Sequence, residues 1–118
     1  MIATRIIGEN MNPQEFNKVL KTRIELTKKV LAYKSGEYST KTDKLHNFKR
    51  AGQMQNCSSA KALIGMWTKH IVSILDIVDN IEKDDSYHPS PALLEEKIGD
   101  AINYLILLEA LIKERYDK

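Results

Sequence analysis

The stretch EEKIGDAINYLILLEALIKER, residues 95–115, decides the fold. From Ala101 onward it is almost unbroken hydrocarbon, yet its leading end carries Glu96, Asp100 and Asn103. At about 100° per residue, these three polar residues and Leu107 fall along one face of a helix, while Leu94, Ile98, Ala101, Leu105, Leu108 and Ile112 form a second face roughly opposite. A helix with two non-equivalent faces needs neighbours on more than one side, which points to a bundle of helices.

The rest of the chain divides into helices by the same reasoning. Ser90 as cap and Pro91 at a first helical position start the last helix, which runs over 91–115. Before it, KDDSYHPSP is polar and proline-containing, so 83–90 is a loop. The NCSS cluster at 56–59 supplies a cap for a helix over 59–82, in which Leu63, Trp67, Ile71, Ile74, Val78 and Ile81 recur at three and four. A shorter helix spans 43–53, with Leu45 and Phe48 apolar and Thr42 or Asp43 as cap. Asn12 and Pro13 open a first helix over 13–33, with Phe16, Val19, Leu20, Ile24, Thr27, Val30 and Leu31 on one stripe. Residues 1–12 form an N-terminal arm in which only Ile2 to Ile7 could make a strand, and 34–42 form a loop. The expected fold is therefore a single all-α, four-helix bundle-like domain.

Composition sets outer bounds. The chain has 118 residues, 42% hydrophobic and 29% charged, with a net charge of +2. That suits one soluble domain and gives no strong nucleic-acid signal, because no chain-wide basic field is present. The single cysteine, Cys57, predicts no disulfide and suits a reducing cytoplasm. No uncharged apolar run of about 18 residues exists, and MIATRIIGENMNPQEF is unlike a secretory signal, so no membrane segment and a cytoplasmic location are expected. No P-loop, dinucleotide fingerprint, zinc spacing or nucleophile elbow is present.

Candidate chemistry rests on polar residues that break the apolar pattern. Glu96 and Asp100, one turn apart, put two carboxylates within reach of a common hard cation such as Mg²⁺ or Mn²⁺, with Asn103 one turn on. The bland alternative for Glu96 is a solvated acid near a helix start. In TDKLHNFKR, residues Asp43, His46, Asn47 and Arg50 lie opposite Leu45 and Phe48 and could touch one ligand, as could Lys44; a solvated helix face carries about equal weight. His70, one turn after Trp67 on the apolar side of its helix, is expected to be half-buried, more in keeping with a hydrogen-bonded core residue than a ligand. Arg23 lies on the stripe side of the first helix, where it suits a phosphate or carboxylate partner or covers apolar surface with its stem. Glu25, flanked by lysines, points away from that stripe.

Taken together, EYSTKTDKLHNFKRAG, GMWTKHIVSILDIVD and the 95–115 stretch resemble the small phage and prophage proteins grouped as nucleotide-modification-associated domains, relatives of the MazG-like all-α nucleotide pyrophosphohydrolases. The resemblance covers most of residues 37–115. It implies a phage- or prophage-encoded protein in which Glu96 and Asp100 hold Mg²⁺ and a nucleoside triphosphate is hydrolysed to monophosphate and pyrophosphate. The chain departs from the family at the first helix, where an acidic pair is missing and only Glu25 stands among lysines. A non-catalytic protein of the same fold, capturing a nucleotide or nucleotide-derived signal with Arg23, Lys44, His46, Arg50 and Asn103, is the alternative from another class. A structural or partner-binding module is the third. Because the last helix is apolar on more than one side, a homodimer or higher homo-oligomer is expected. The ligand is expected between the last helix and the 43–50 segment.

Overall fold

The computed structural model of the chain describes residues 10–33 and 43–116. Among these it is all-helical: α1 (Pro13–Lys28), continued by a π-helical turn (Lys29–Tyr33), then α2 (His46–Met54), α3 (Ser59–Lys83) and α4 (Pro91–Tyr116). The arm before residue 10, with its possible strand at Ile2 to Ile7, and the 34–42 loop lie outside the described residues.

Three helices begin where capping residues dictate. The Asn12 side chain accepts a hydrogen bond from the Glu15 amide, while the Glu15 carboxylate accepts from the Asn12 amide, a reciprocal box that satisfies two otherwise orphaned donors. Ser58 Oγ accepts from the Lys61 amide and Ser90 Oγ from the Leu93 amide, each at 3.1 Å. Between α3 and α4, Asp84 accepts from both the amide and the hydroxyl of Ser86. Those bonds hold its carboxyl below the ordinary range.

The second helix corrects the expected start at residue 43. Asp43 Oδ1 accepts from the Leu45 amide two residues on, so the aspartate makes a turn of its own and the helix starts at His46. It ends at Met54 because Asn56 adopts a left-handed conformation (φ 54°), which lets the Cys57 amide bond back to the Gly52 carbonyl at 3.0 Å.

Helices α3 and α4, of 25 and 26 residues, form a long antiparallel pair. Leu63 near the start of α3 meets Leu107 and Leu111 near the end of α4, together with Leu45 and Phe48 from the α2 region. Phe48 and Leu63 are almost fully enclosed, and burying each contributes about 2–3 kcal/mol. Leu31, Met66, Trp67, Tyr104 and Leu108 pack around this cluster. Helix α1 lies along α4 and contributes no buried residue over its 16 positions.

The two faces of α4 meet different surroundings. The side bearing Asn103 and Leu107 turns inward, joined by Leu111. On the opposite face Leu94, Leu105 and Ile112 are exposed, although Ala101 is buried. Asp100 and Asn103 therefore lie on the α3 side, and Leu94, Leu105 and Ile112 are left partly open. No helix among the described residues is long and apolar enough to cross a membrane.

Candidate functional site

The polar residues of α4 do not act as one face. Glu96 is exposed. Asp100, one turn on, turns toward α3, where its Oδ2 lies 3.7 Å from His70 Nδ1, a separation that makes an ion pair when the imidazole is protonated. His70 also meets the Tyr104 ring edge-on at 4.8 Å, and Tyr104 in turn meets Phe48 at 5.9 Å. His70 is thus half-buried, as its position after Trp67 suggested, and is held by an aromatic edge and a carboxylate.

Asn103 sits deeper, 4% exposed, and its Oδ1 finds no hydrogen-bond donor among the described residues. The Trp67 indole N–H is likewise enclosed without an acceptor. Such groups cost free energy, so this α3/α4 seam carries polarity that packing alone does not reward.

The 43–50 segment lies elsewhere. Lys49 Nζ donates to Asp43 Oδ2 and to Glu114 Oε2, both at 2.9 Å, tying α2 to the last turn of α4. The hydrogen bond from Lys49, helped by the Leu45 amide, holds the Asp43 carboxyl below its ordinary value. The bonds to Asp43 and then Glu114 push the Lys49 ammonium up. Glu114 is fourteen residues beyond Asp100, about 21 Å along the helix. Lys44, Asn47 and Arg50 are exposed and His46 half-exposed; Arg50 donates to Gln53 at 3.4 Å. Through Lys49 the segment thus meets the Glu114 end of α4 in an ion-pair network, and through Phe48 it meets Tyr104, one turn from Asp100, while Glu96 stays exposed near the other end of the helix.

A concavity opens instead between α1 and α4. It has a volume of about 740 Å³, within the range of small-molecule pockets, and is half-open to solvent. Val19 from α1 and Leu94, Ile98 and Ile102 from α4 give it an apolar wall, and Pro89 and Pro91 stiffen the end where α4 begins. Lys18, Thr22 and Arg23 supply donors; Glu15 and Glu95 supply carboxylates.

Arg23 is positioned by an unusual feature of α4. Its Nη2 donates to the Glu95 carbonyl at 3.0 Å, and its Nη1 lies 2.6 Å from where a Cβ on residue 99 would stand. The missing Cβ at Gly99 leaves room for Arg23 Nη1 to approach the helix. Arg23 was expected to act as a ligand partner; Lys18, Thr22, Glu95 and the Pro89–Pro91 end were not. Gly99 in the middle of an apolar helix was the signal available, since an interior glycine marks a close approach.

Mg²⁺ is commonly held by one or two carboxylates and completes its octahedral shell with water and phosphate oxygens. Here Glu96 points to solvent and Asp100 is directed at His70, and no three His, Cys, Asp or Glu side chains among the described residues converge as they would around a metal ion. The arrangement within one chain does not fit a preformed metal centre. Comparison of the sequence with known protein families, with curated proteins and with solved structures returned no match.

Proposed function

We propose that this chain is a non-catalytic binding protein that holds a nucleotide or nucleotide-derived small molecule in the cleft between α1 and α4. The observation that carries the proposal is the cleft itself, in which an apolar wall faces a guanidinium already fixed in place. The Val19, Leu94, Ile98 and Ile102 surface accepts the flat, largely apolar face of a base. Arg23 and Lys18 meet phosphate oxygens, helped by the positive end of the α4 dipole. Glu95, an acceptor when ionised, suits ribose hydroxyls or an exocyclic amine. The resemblance noted above implies the same ligand class and a phage-encoded protein acting in a bacterial cytoplasm.

Incubation of concentrated protein with a panel of nucleoside mono-, di- and triphosphates, their deoxy forms and cyclic nucleotides, followed by ultrafiltration, tests the reading. The expected result is depletion of one ligand in proportion to protein, insensitive to EDTA and lost when Lys18 and Arg23 are both changed to alanine. The resemblance implies a second reading, Mg²⁺-dependent pyrophosphohydrolysis. New monophosphate that vanishes with EDTA and in Asp100→Asn would establish that reading in place of the first.

A further inference from the structure

Helix α1 is amphipathic and uncovered. Phe16, Leu20 and Ile24, spaced at four, are 56, 48 and 46% exposed, while Lys18, Lys21, Glu25 and Lys28 occupy other sides of the helix. Not one of its 16 residues is buried. The problem extends to α4, where Leu105, Ile106 and Ile112 are over two-fifths exposed. Among the described residues fifteen large hydrophobic side chains are exposed against eight hydrophobic residues buried, the reverse of what a self-sufficient chain shows.

We propose that a second copy of this chain docks on the apolar stripe of α1, Phe16–Leu20–Ile24, and on the exposed hydrophobic side chains Leu105, Ile106 and Ile112 of α4. Area supports this occupant. Half-exposed side chains of this size show roughly 80–100 Å² each, so Phe16, Leu20 and Ile24 with Leu105, Ile106 and Ile112, none of which lines the cleft, present roughly 550 Å², near the lower end (about 600 Å²) of what each partner gives to a specific interface. Symmetry supports it as well. A contact about a two-fold axis needs a patch complementary to itself, and a straight apolar stripe with its charges on the other sides of the helix meets that need without opposite charge on the partner. Stoichiometry gives a third reason. A 16-residue helix with no fully buried side chain in its own chain draws stability from a cover whenever the chain is folded, and a copy of the same chain is always present in matching amount. Docking would also fix the α1 wall of the ligand cleft, because Val19 and Arg23 lie beside the stripe on the same helix. The docking proposal itself stands whether or not the cleft binds a ligand.

Light scattering coupled to size exclusion on the full chain at micromolar concentration tests it. The wild type is expected at twice or a higher multiple of the 13.5 kDa chain mass. Leu20→Glu with Ile24→Glu should move it to the single-chain mass while circular dichroism keeps the helical signal of α2–α4, and Glu25→Ala should leave the mass unchanged. A wild type of single-chain mass, or a double variant that keeps the wild-type mass, overturns the proposal. Should the double variant not fold, Leu20→Cys in a Cys57→Ser background, treated with a short bis-maleimide, is expected to give a covalent dimer where Glu25→Cys in the same background does not. Equal or absent linkage of the two overturns it as well.

Discussion

Replacing Gly99 by alanine separates fold from function more cleanly than any substitution that removes a side chain. The new Cβ would stand 2.6 Å from Arg23 Nη1 and 3.5 Å from Cζ, so the guanidinium must retreat by close to an ångström. The atom in the way is the far end of a flexible side chain, and it can move. Retreat costs the bond from Nη2 to the Glu95 carbonyl, about 1–1.5 kcal/mol at a solvent-accessible position. Against that, alanine in place of glycine in a helix interior contributes about 1 kcal/mol. The two nearly cancel, so chemical denaturation should find Gly99→Ala within about 1 kcal/mol of wild type. Ligand affinity should not cancel. A displaced guanidinium forfeits a charge-assisted contact of about 1.5–3 kcal/mol, equivalent to a roughly 10- to 100-fold weaker Kd by calorimetry. A stability loss above about 3 kcal/mol would mean that the Arg23–Gly99 contact is structural, and unchanged affinity in a normally stable variant would refute the role given to Arg23.

Other substitutions test the surrounding reasoning. At Gly52 a Cβ would meet the Cys57 carbonyl oxygen at 2.8 Å and the Ser58–Ser59 backbone at 3.0 Å, whereas at Gly65 it meets nothing. Gly52→Ala should therefore cost about 1–3 kcal/mol and Gly65→Ala should stabilise by about 1 kcal/mol in denaturant melts. Because the Asp43 pKa is depressed by Lys49, the pair's stabilisation is present above the ordinary value of 3.8 and lost as pH falls through the lower folded value. The raised Lys49 pKa gives stabilisation that is complete below its ordinary 10.5 and lost as pH rises through the higher folded value. Lys49→Met should flatten both limbs of the pH–stability profile, and an unaltered acid limb would show that Asp43 draws nothing from the network. Asn103→Leu should be neutral or stabilising by about 1 kcal/mol, since the Oδ1 it removes has no donor; a loss of 2 kcal/mol or more by the same melts would reveal a partner for Asn103.

Much of the fold was legible in local chemistry. Asn12–Pro13, the NCSS cluster at 56–59 and Ser90–Pro91 announced three helix starts, and Asn12, Ser58 and Ser90 cap them. Asp43 misled because an aspartate can bond forward two residues into a turn as readily as it caps, and the Leu45 amide decided between them. The faces of α4 were visible as two stripes, but which stripe goes inward is a question of what stands opposite. Leu107 and Leu111 find Leu63 and Phe48, and Asp100 finds His70, none of which is encoded within the helix itself. Which part of α4 the 43–50 residues meet, Glu114 through Lys49 and Tyr104 through Phe48, was not legible, because periodicity reports direction around an axis and is silent about distance along it. The cleft was hidden for a related reason: its walls come from helices about seventy residues apart in the chain, and only Arg23 and the interior Gly99 hinted at their meeting.

The most direct test of a nucleotide site between α1 and α4 is a backbone-amide chemical-shift map of the labelled chain, titrated with the nucleotide that ultrafiltration selects. Saturable shifts centred on Val19, Thr22, Arg23, Leu94 and Ile98 are the expected result. Shifts centred instead on His46–Arg50, or on Glu96, Asp100 and His70 with the α1 amides unmoved, would contradict it.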